Sequence, residues 1–359
     1  MKRILLILLL FCGAAVSAQE MTDEDFPTQL AKAKAGNVAS QGWVGSYYFV
    51  NGDYENAVYW SKKAADAGNY SAQLDMAIAY ERGEGVEKNL QKAFEYYSSS
   101  AKGGDVSAIY MLGVYYHTGE VVKQNLKKAR NYYKIAAYNK LAVAQYRYAR
   151  FCLAGVGGKK DFEEGVGSMQ LAAQQGFNPA VVDLAVWYVN GIFVEKNEEL
   201  GITLFELAAK QGSQEAQMLL GEFIFLGKYG CPQSYAVSAQ WYEMAMENPN
   251  KEMKLSSIAN NLAYCYAYGD DNLPQDFQKA HQTIDKAIEE EPDEANLYDS
   301  KGEFYLMQGD KENAQKMWNK VMELAPDFSK ESLLYKSLYE NGGVYVGKDK
   351  RAYRFNYND

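Results

Sequence analysis

The sequence is poor in the residues that most often carry enzyme or metal chemistry. It has only two histidines, His117 and His281, and four cysteines among 359 residues. Neither residue type occurs at a zinc-ligand spacing such as His-x3-His or Cys-x2-Cys. We therefore expect no metal site and no bound cofactor.

An excess of basic residues is also missing. The chain has 37 Lys and Arg against 46 Asp and Glu, a formal net charge of −9. Nucleic acids and anionic membranes select basic surfaces. The charge balance therefore argues against nucleic acid or an anionic membrane as the main partner.

Long hydrophobic runs are absent except at the start. The run "ILLILLLF" follows Lys2 and Arg3 and precedes the small-residue site Val16-Ser17-Ala18. This layout is typical of an export signal, and the run is short for a membrane span. We expect residues 1–18 to be a signal peptide, cleavage after Ala18, and a mature chain without a transmembrane span, located in the periplasm or outside the cell.

The sequence repeats with a period of 36 residues. An alanine marks it at Ala72, Ala108, Ala144, Ala180 and Ala216. A small residue follows five positions later, usually an aromatic residue eight later, and always a glycine eleven later. These offsets fall on one helical face, where a small residue lets a neighbouring helix approach and the glycine ends the helix.

A second helix follows in each unit. Its predicted N-cap residues are Asn89, Asn125, Asp161, Asn197, Ser234 and Asp276, whose side chains accept hydrogen bonds from free backbone N–H groups. Packing pairs such as Tyr96-Tyr97 and Tyr132-Tyr133 come next. Each unit therefore reads as a helix–turn–helix.

This pattern resembles the Sel1-like repeat, which the stretch "ERGEGVEKNLQKAFEYY" (81–97) matches almost position for position. The first and last units, with a shorter loop, are similar to tetratricopeptide repeats. Stacked units of this kind imply an all-α, right-handed α/α superhelix (solenoid) of about eight helix–turn–helix repeats over residues 37–328. A capping helix is expected within 19–36, and a second one followed by a tail within 329–359.

The tail Gly342–Asp359 mixes tyrosines with basic residues, namely Lys348, Lys350, Arg351 and Arg354. Two interpretations stay open: a disordered end, or a strip that docks back on the scaffold.

The resemblance also predicts a binding groove, because in related superhelical repeats the first helices line the concave side. The candidate groove residues are Trp43, Tyr47, Ile78, Arg82, Tyr110, Val114, His117, Tyr146, Arg150, Val186, Val189, Asn190, Met218, Glu222 and Phe225. The other interpretation is that many of them pack sideways between neighbouring first helices. Tyr110, Tyr146 and Arg150 are the leading candidates, because aromatic residues and arginine dominate binding hot spots.

Three cysteines follow the predicted cleavage site. Cys152 stands where other repeats place an aromatic residue, which favours a buried thiol. Cys231 and Cys265 fall near the same edge of adjacent repeats, and the sequence leaves open whether they form a disulfide. The acidic stretch "GDDNLPQD" (269–276) lacks the ligand alternation of a calcium loop, and we expect a solvated turn there.

A catalytic alternative comes from exported Sel1-like proteins that are described as penicillin-binding or β-lactamase-like. The chain holds Ser99-x-x-Lys102, the triplet His117-Thr118-Gly119 and the triplet Tyr188-Val189-Asn190. The repeat register accounts for most of these residues without any reaction. The favoured prediction is thus an exported, non-enzymatic adaptor that binds a protein or peptide. We expect a monomer, with end-to-end self-association as the alternative.

Overall fold

The computed structural model describes residues 25–250 and 253–326, and these residues form seventeen α-helices with no extended strand. The helices are α1 Phe26–Lys34, α2 Val38–Val50, α3 Tyr54–Asp66, α4 Tyr70–Arg82, α5 Leu90–Lys102, α6 Val106–Thr118, α7 Leu126–Tyr138, α8 Ala142–Ala154, α9 Phe162–Gln174, α10 Asn178–Asn190, α11 Glu198–Lys210, α12 Gln214–Leu226, α13 Tyr235–Glu247, α14 Leu255–Tyr268, α15 Phe277–Glu290, α16 Ala295–Met307 and α17 Lys311–Leu324.

After α1, the helices follow one another as eight pairs, from α2/α3 to α16/α17. The chain divides into two compact units, residues 1–180 and 181–359, here called unit 1 and unit 2. Within unit 1, each helix from α1 to α9 packs against the next one along the chain; within unit 2, the same holds from α11 to α17. The predicted all-α class of stacked helix–turn–helix repeats is therefore confirmed.

The repeated polar residues start the second helices, as the sequence indicates. The six predicted N-cap side chains accept hydrogen bonds of 2.9–3.3 Å from the backbone N–H three residues on. The repeated glycines end the first helices, because Gly83, Gly119, Gly155 and Gly227 adopt positive φ angles of 64–78°.

The small residue in each first helix makes room for an aromatic ring of the second helix. A Cβ atom added at Gly113 would lie 2.8 Å from the ring of Tyr133, and one at Gly221 would lie 2.7 Å from Tyr242. Both tyrosines are buried, with 1% of their surface exposed. These contacts join the two helices of one repeat and leave the opposite side of the first helix available for other contacts.

The stretch that the sequence assigns to an N-terminal cap contains α1, which packs on α2. The ring of Phe26 in α1 stacks on Tyr47 at 4.3 Å between centroids. The predicted signal peptide, the C-terminal capping helix and the tail lie outside the described residues. In the described part of the chain, every helix is too short or too polar to cross a membrane.

Candidate functional site

Unit 1 contains a small hollow of about 220 Å³ on its first helices, here called the first-helix hollow. Three predicted groove residues line it: Ile78, Arg82 and Tyr110. The remaining lining residues are Leu74, Glu81, Tyr97, Ser107, Met111, Leu141 and Val143.

The walls of the hollow are apolar. Leu74 and Ile78 stand one turn apart on α4, and Met111 faces them from α6. Leu141 and Val143 come from the start of α8, so three consecutive repeats contribute. Leu74 is buried, whereas Ile78, Met111 and Val143 are half-buried and present apolar surface to a ligand.

Fixed charges lie at one end of the hollow. The Glu81 carboxylate accepts hydrogen bonds from the hydroxyls of Tyr97 (2.8 Å) and Tyr115 (3.4 Å). Burial, and then the nearby Glu81 carboxylate, raise the pKa of Tyr115, so this hydroxyl remains a donor at neutral pH. The next residue, Arg82, is exposed at the rim, with its Nη1 3.9 Å from Glu84.

The dimensions decide what the hollow can accept. A volume of about 220 Å³ is below the range of about 300–1,000 Å³ that drug-sized ligands occupy. It matches one large apolar side chain, which is how a hot-spot residue anchors a peptide or protein. The exposed Arg82 can pair with an acidic group beside that side chain.

The other leading candidates, Tyr146 and Arg150, interact with each other on α8. Arg150 Nη1 donates a 2.9 Å hydrogen bond to the Tyr146 hydroxyl, and the guanidinium lies 5.6 Å from that ring. The ring of Tyr146 also contacts Phe177 at 5.4 Å. Neither residue lines the first-helix hollow, so the structure groups Tyr110 with Ile78 and Arg82 instead.

His117, a predicted groove residue, is half-buried and packs against the rings of neighbouring helices. Its ring meets Phe151 edge-on at 4.9 Å, and its Nδ1 lies 3.3 Å from the hydroxyl of Tyr133. Burial, and then the positive charge of Arg147, lower the pKa of His117. The imidazole therefore serves as an aromatic packing element between repeats.

Trp43 and Tyr47 are likewise engaged with their neighbours. Their rings stack at 5.5 Å from each other, and Phe26 of α1 covers both at 6.5 and 4.3 Å. Both side chains are half-buried under the first helix rather than open to a ligand. Trp43 and Tyr47 form an aromatic face on α2, and Phe26 of α1 packs its ring against that face.

The predicted groove residues of unit 2 divide into two groups. Val189 and Phe225 are buried, with 1% and 5% of their surface exposed, and belong to the core. The others are accessible: Asn190 is exposed, while Val186, Met218 and Glu222 are half-buried. Burial raises the pKa of Glu222, which makes a protonated carboxyl easier to reach there.

Four residues occupy the same register position in their repeats. Glu81, His117, Val189 and Phe225 all stand nine residues after the first alanine of their repeats. In each case the side chain contacts neighbouring helices of its own unit. The predicted groove residues of these repeats that remain accessible stand at the second, sixth and tenth positions.

The disulfide left open by the sequence is not formed. Cys152, Cys231 and Cys265 are free thiols. Cys265 is fully buried, next to Ser238, and burial raises its pKa to about 12. Cys231 is half-buried in the loop before α13, where its N–H donates to the Lys228 carbonyl. Cys152 is buried as expected, and Arg130 Nη2 lies 3.4 Å from its sulfur.

In unit 1, the residues of the catalytic alternative lie at the ends of helices. Ser99 and Lys102 lie one turn apart at the end of α5, a second helix. Gly119 is the left-handed cap of α6, with φ 76°. In unit 2, the backbone carbonyl of Tyr188 accepts a 2.8 Å hydrogen bond from the Asn197 N–H, at the end of the loop that follows.

The acidic turn in unit 2 is organised by hydrogen bonds. The Asp270 carboxylate accepts from the Ser234 hydroxyl at 3.1 Å and from the Ala236 N–H at 3.0 Å. In the described part of the chain, no group of three or more His, Cys, Asp or Glu side chains could hold a metal ion.

Comparison with known proteins identifies the repeat. The Sel1 repeat model matches seven segments that together cover more than half of the chain: residues 40–69, 71–105, 106–141, 142–177, 179–213, 214–250 and 258–282. The chain therefore belongs to the Sel1 repeat family. The comparison with curated proteins gives no match.

Two solved structures are similar in fold. A Sel1 repeat protein from Oxalobacter formigenes is 25% identical, with a TM-score of 0.60 over 69% of this chain and 96% of that chain. A protective antigen of uropathogenic Escherichia coli strains, with the same repeat fold, is 22% identical, with a TM-score of 0.60 over 91% of this chain and 77% of that chain. These similarities support the fold of stacked helical repeats.

Proposed function

We propose that this protein is an exported, non-enzymatic adaptor that binds a peptide segment of another protein at the first-helix hollow. The observation that carries the proposal is the combination of half-buried apolar walls, Ile78 and Tyr110, with the exposed Arg82 at their rim. Export is part of the proposal, and the signal-like sequence of residues 1–18 supports it.

The chemistry of the hollow specifies the peptide. One large aliphatic or aromatic side chain fills the space of about 220 Å³, and a carboxylate near that side chain pairs with Arg82. Glu81 accepts hydrogen bonds from the hydroxyls of Tyr97 and Tyr115, which fix its carboxylate in place beside Arg82. A scaffold of stacked repeats supplies a rigid frame for such a contact.

Selection from a random-peptide phage library on the purified chain from Gln19 tests the proposal. We expect the selected peptides to share one large apolar residue with an acidic residue close to it. Ile78→Trp fills the hollow, and Arg82→Glu reverses the charge at its rim. Each variant should therefore bind the selected peptide about tenfold or more weakly than the wild type.

Tyr59→Ala is the matched control, because Tyr59 is an exposed aromatic on the second helix α3 of the same unit. This variant should keep wild-type affinity, measured by fluorescence anisotropy. Equal affinities of the Ile78 and Arg82 variants and the wild type would reject the hollow as the site. A library without enriched peptides would reject peptide binding.

A further inference from the structure

A second and larger opening lies on the second helices of unit 1, between α7 and α9, and is here called the second-helix cleft. Its volume is about 990 Å³, at the upper end of the range of about 300–1,000 Å³ that ligand sites occupy. It shares no lining residue with the first-helix hollow. The two openings are therefore separate candidate sites.

The repeat sequence explains why the cleft is open at this place. Tyr96 and Tyr132 stand 36 residues apart in the two preceding second helices, and each stacks on a tyrosine of its own repeat. The next member of this series is Ser168, and Gly167 precedes it. Both line the cleft, and a Cβ atom added at Gly167 would meet nothing within 4 Å. Two consecutive small residues therefore widen the space beside α9.

Hydrogen bonds hold the floor and the walls of the cleft in place. Gln145 of α8, with 3% of its surface exposed, donates from Nε2 to the Ala137 carbonyl at 3.3 Å. Its Oε1 accepts a 2.6 Å hydrogen bond from Gln175 Nε2. The hydroxyl of Tyr138 on α7 donates a 2.8 Å hydrogen bond to the Glu164 carboxylate on α9. The cleft is thus preformed, which reduces the cost of ordering it when a ligand binds.

The walls of the cleft present apolar surface to solvent. Tyr138 has 61% of its surface exposed and Leu171 has 51%. The ammonium group of Lys134 lies over the Tyr138 ring, 5.2 Å from its centroid, so this ring already has a cation on one face. A ligand that covers these walls therefore needs apolar groups, and it can add a cation beside them.

The charges along the cleft select the ligand further. Three lining carboxylates, Asp161, Glu163 and Glu164, stand at the start of α9, against one lining cation, Lys140. Asp161 caps α9 by accepting from the Glu164 N–H at 3.1 Å, whereas Glu163 is exposed. Opposite charges favour association, so a basic ligand fits this surface. The net charge of −9 disfavours a second copy of the chain in that place.

We infer that the second-helix cleft binds an apolar, basic segment of another protein, with apolar side chains on Tyr138 and Leu171 and a lysine or arginine beside Glu163. The preformed opening, its exposed apolar walls and the excess of carboxylates carry the inference together. It does not rest on the proposed function, because the first-helix hollow takes a peptide of the opposite charge.

Selection from a random-peptide phage library tests the inference. The library is first depleted on the Gly167→Leu chain from Gln19, in which a side chain fills the cleft without a change of charge, and is then selected on the wild-type chain. We expect the enriched peptides to combine apolar residues with Lys or Arg. They should bind Gly167→Leu and Glu163→Lys at least about tenfold more weakly than the wild type, measured by fluorescence anisotropy.

Thr203→Leu and Glu199→Lys are the matched controls. Thr203 and Glu199 are exposed and hold the register positions of Gly167 and Glu163 in the next repeat, 36 residues further on. Both variants should keep wild-type affinity. Thermal unfolding shows whether each variant folds, and Glu163→Lys takes over the depletion step if Gly167→Leu does not.

The inference is overturned if no peptide is enriched after depletion, or if the enriched peptides lack basic residues. An equal loss of affinity in Glu199→Lys would indicate general charge attraction and would also overturn it. Self-association that Gly167→Leu abolishes, measured by light scattering, would assign the cleft to a second copy instead. Peptides that lose affinity in Ile78→Trp report the first-helix hollow, so failure at one site is distinguished from failure at the other.

Discussion

The hydroxyl of Ser46 on α2 donates a 2.6 Å hydrogen bond to the carboxylate of Asp75 on α4. The Ser61 hydroxyl of α3 approaches the same oxygen at 3.3 Å. One carboxyl group thus joins the first two repeats of unit 1. Burial raises its pKa from 3.8 to about 7, against the opposing effect of the two hydroxyls, with a smaller upward contribution from Asp105.

The first prediction concerns this carboxyl group. Because its folded-state pKa exceeds its unfolded value, the folded chain binds the proton more tightly and its stability falls as the pH rises from about 4 to about 7. Asp75→Asn keeps an acceptor for both serines and cannot ionise. We expect the variant to be more stable than wild type by about 2–4 kcal/mol at pH 8, with a difference that shrinks towards pH 4.

Urea unfolding of both proteins across this pH range measures the effect. Other carboxyl groups with raised pKa values, such as Glu303, remain in both proteins and cancel in the comparison. A difference between Asp75→Asn and wild type that does not change with pH would contradict the assignment.

The second prediction contrasts two glycines inside helices. A Cβ atom at Gly45 in α2 would lie 2.1 Å from Ser61 Oγ and 2.8 Å from Ser61 N, whereas one at Gly167 in α9 meets nothing within 4 Å. Gly45→Ala should therefore destabilise by about 1–3 kcal/mol through overpacking. Gly167→Ala should stabilise by about 0.5–1 kcal/mol, because alanine favours the helix.

Thermal unfolding of the wild type and of both variants measures the two stability changes. The opposite signs are the diagnostic feature, since both substitutions add the same methyl group. Two stabilising substitutions would show that α2 and α3 are not in close contact.

The third prediction addresses the catalytic alternative. Ser99 is half-buried near the end of a second helix, and Gly119 is occupied as a helix cap. We expect the purified chain from Gln19 to leave nitrocefin unhydrolysed above the buffer rate, and Ser99→Ala to change nothing. Turnover that is lost in Ser99→Ala would instead favour a β-lactamase-like enzyme.

Much of the fold could be predicted from the sequence because each recurring residue has one local role. Asn89 starts a helix by accepting a backbone hydrogen bond, and Gly83 ends one through a positive φ angle. Such roles depend on near neighbours in the chain, and a periodic pattern therefore reveals them. The expected all-α repeat architecture is confirmed for this reason.

The site was harder to predict because a groove position depends on contacts with other repeats. His117 and Phe225 share the register of Glu81, but their side chains pack against the rings of neighbouring helices. The hollow itself depends on Leu141 and Val143, which open α8 without a polar cap and were not flagged by the repeat. The sequence does contain one sign of this difference: Leu141 stands at the N-cap position of α8, where a polar side chain is usual.

The fourth prediction is also the most direct test of the account, and it locates a bound peptide on the surface. A library-selected peptide is prepared with a photoreactive benzophenone in place of its large apolar residue, and the crosslinked residue is found by mass spectrometry. If that side chain fills the first-helix hollow, the adduct should fall on Met111 or the neighbouring Ile78 and Tyr110. An adduct on the second helix α3, which contributes no residue to the hollow, would contradict the central claim.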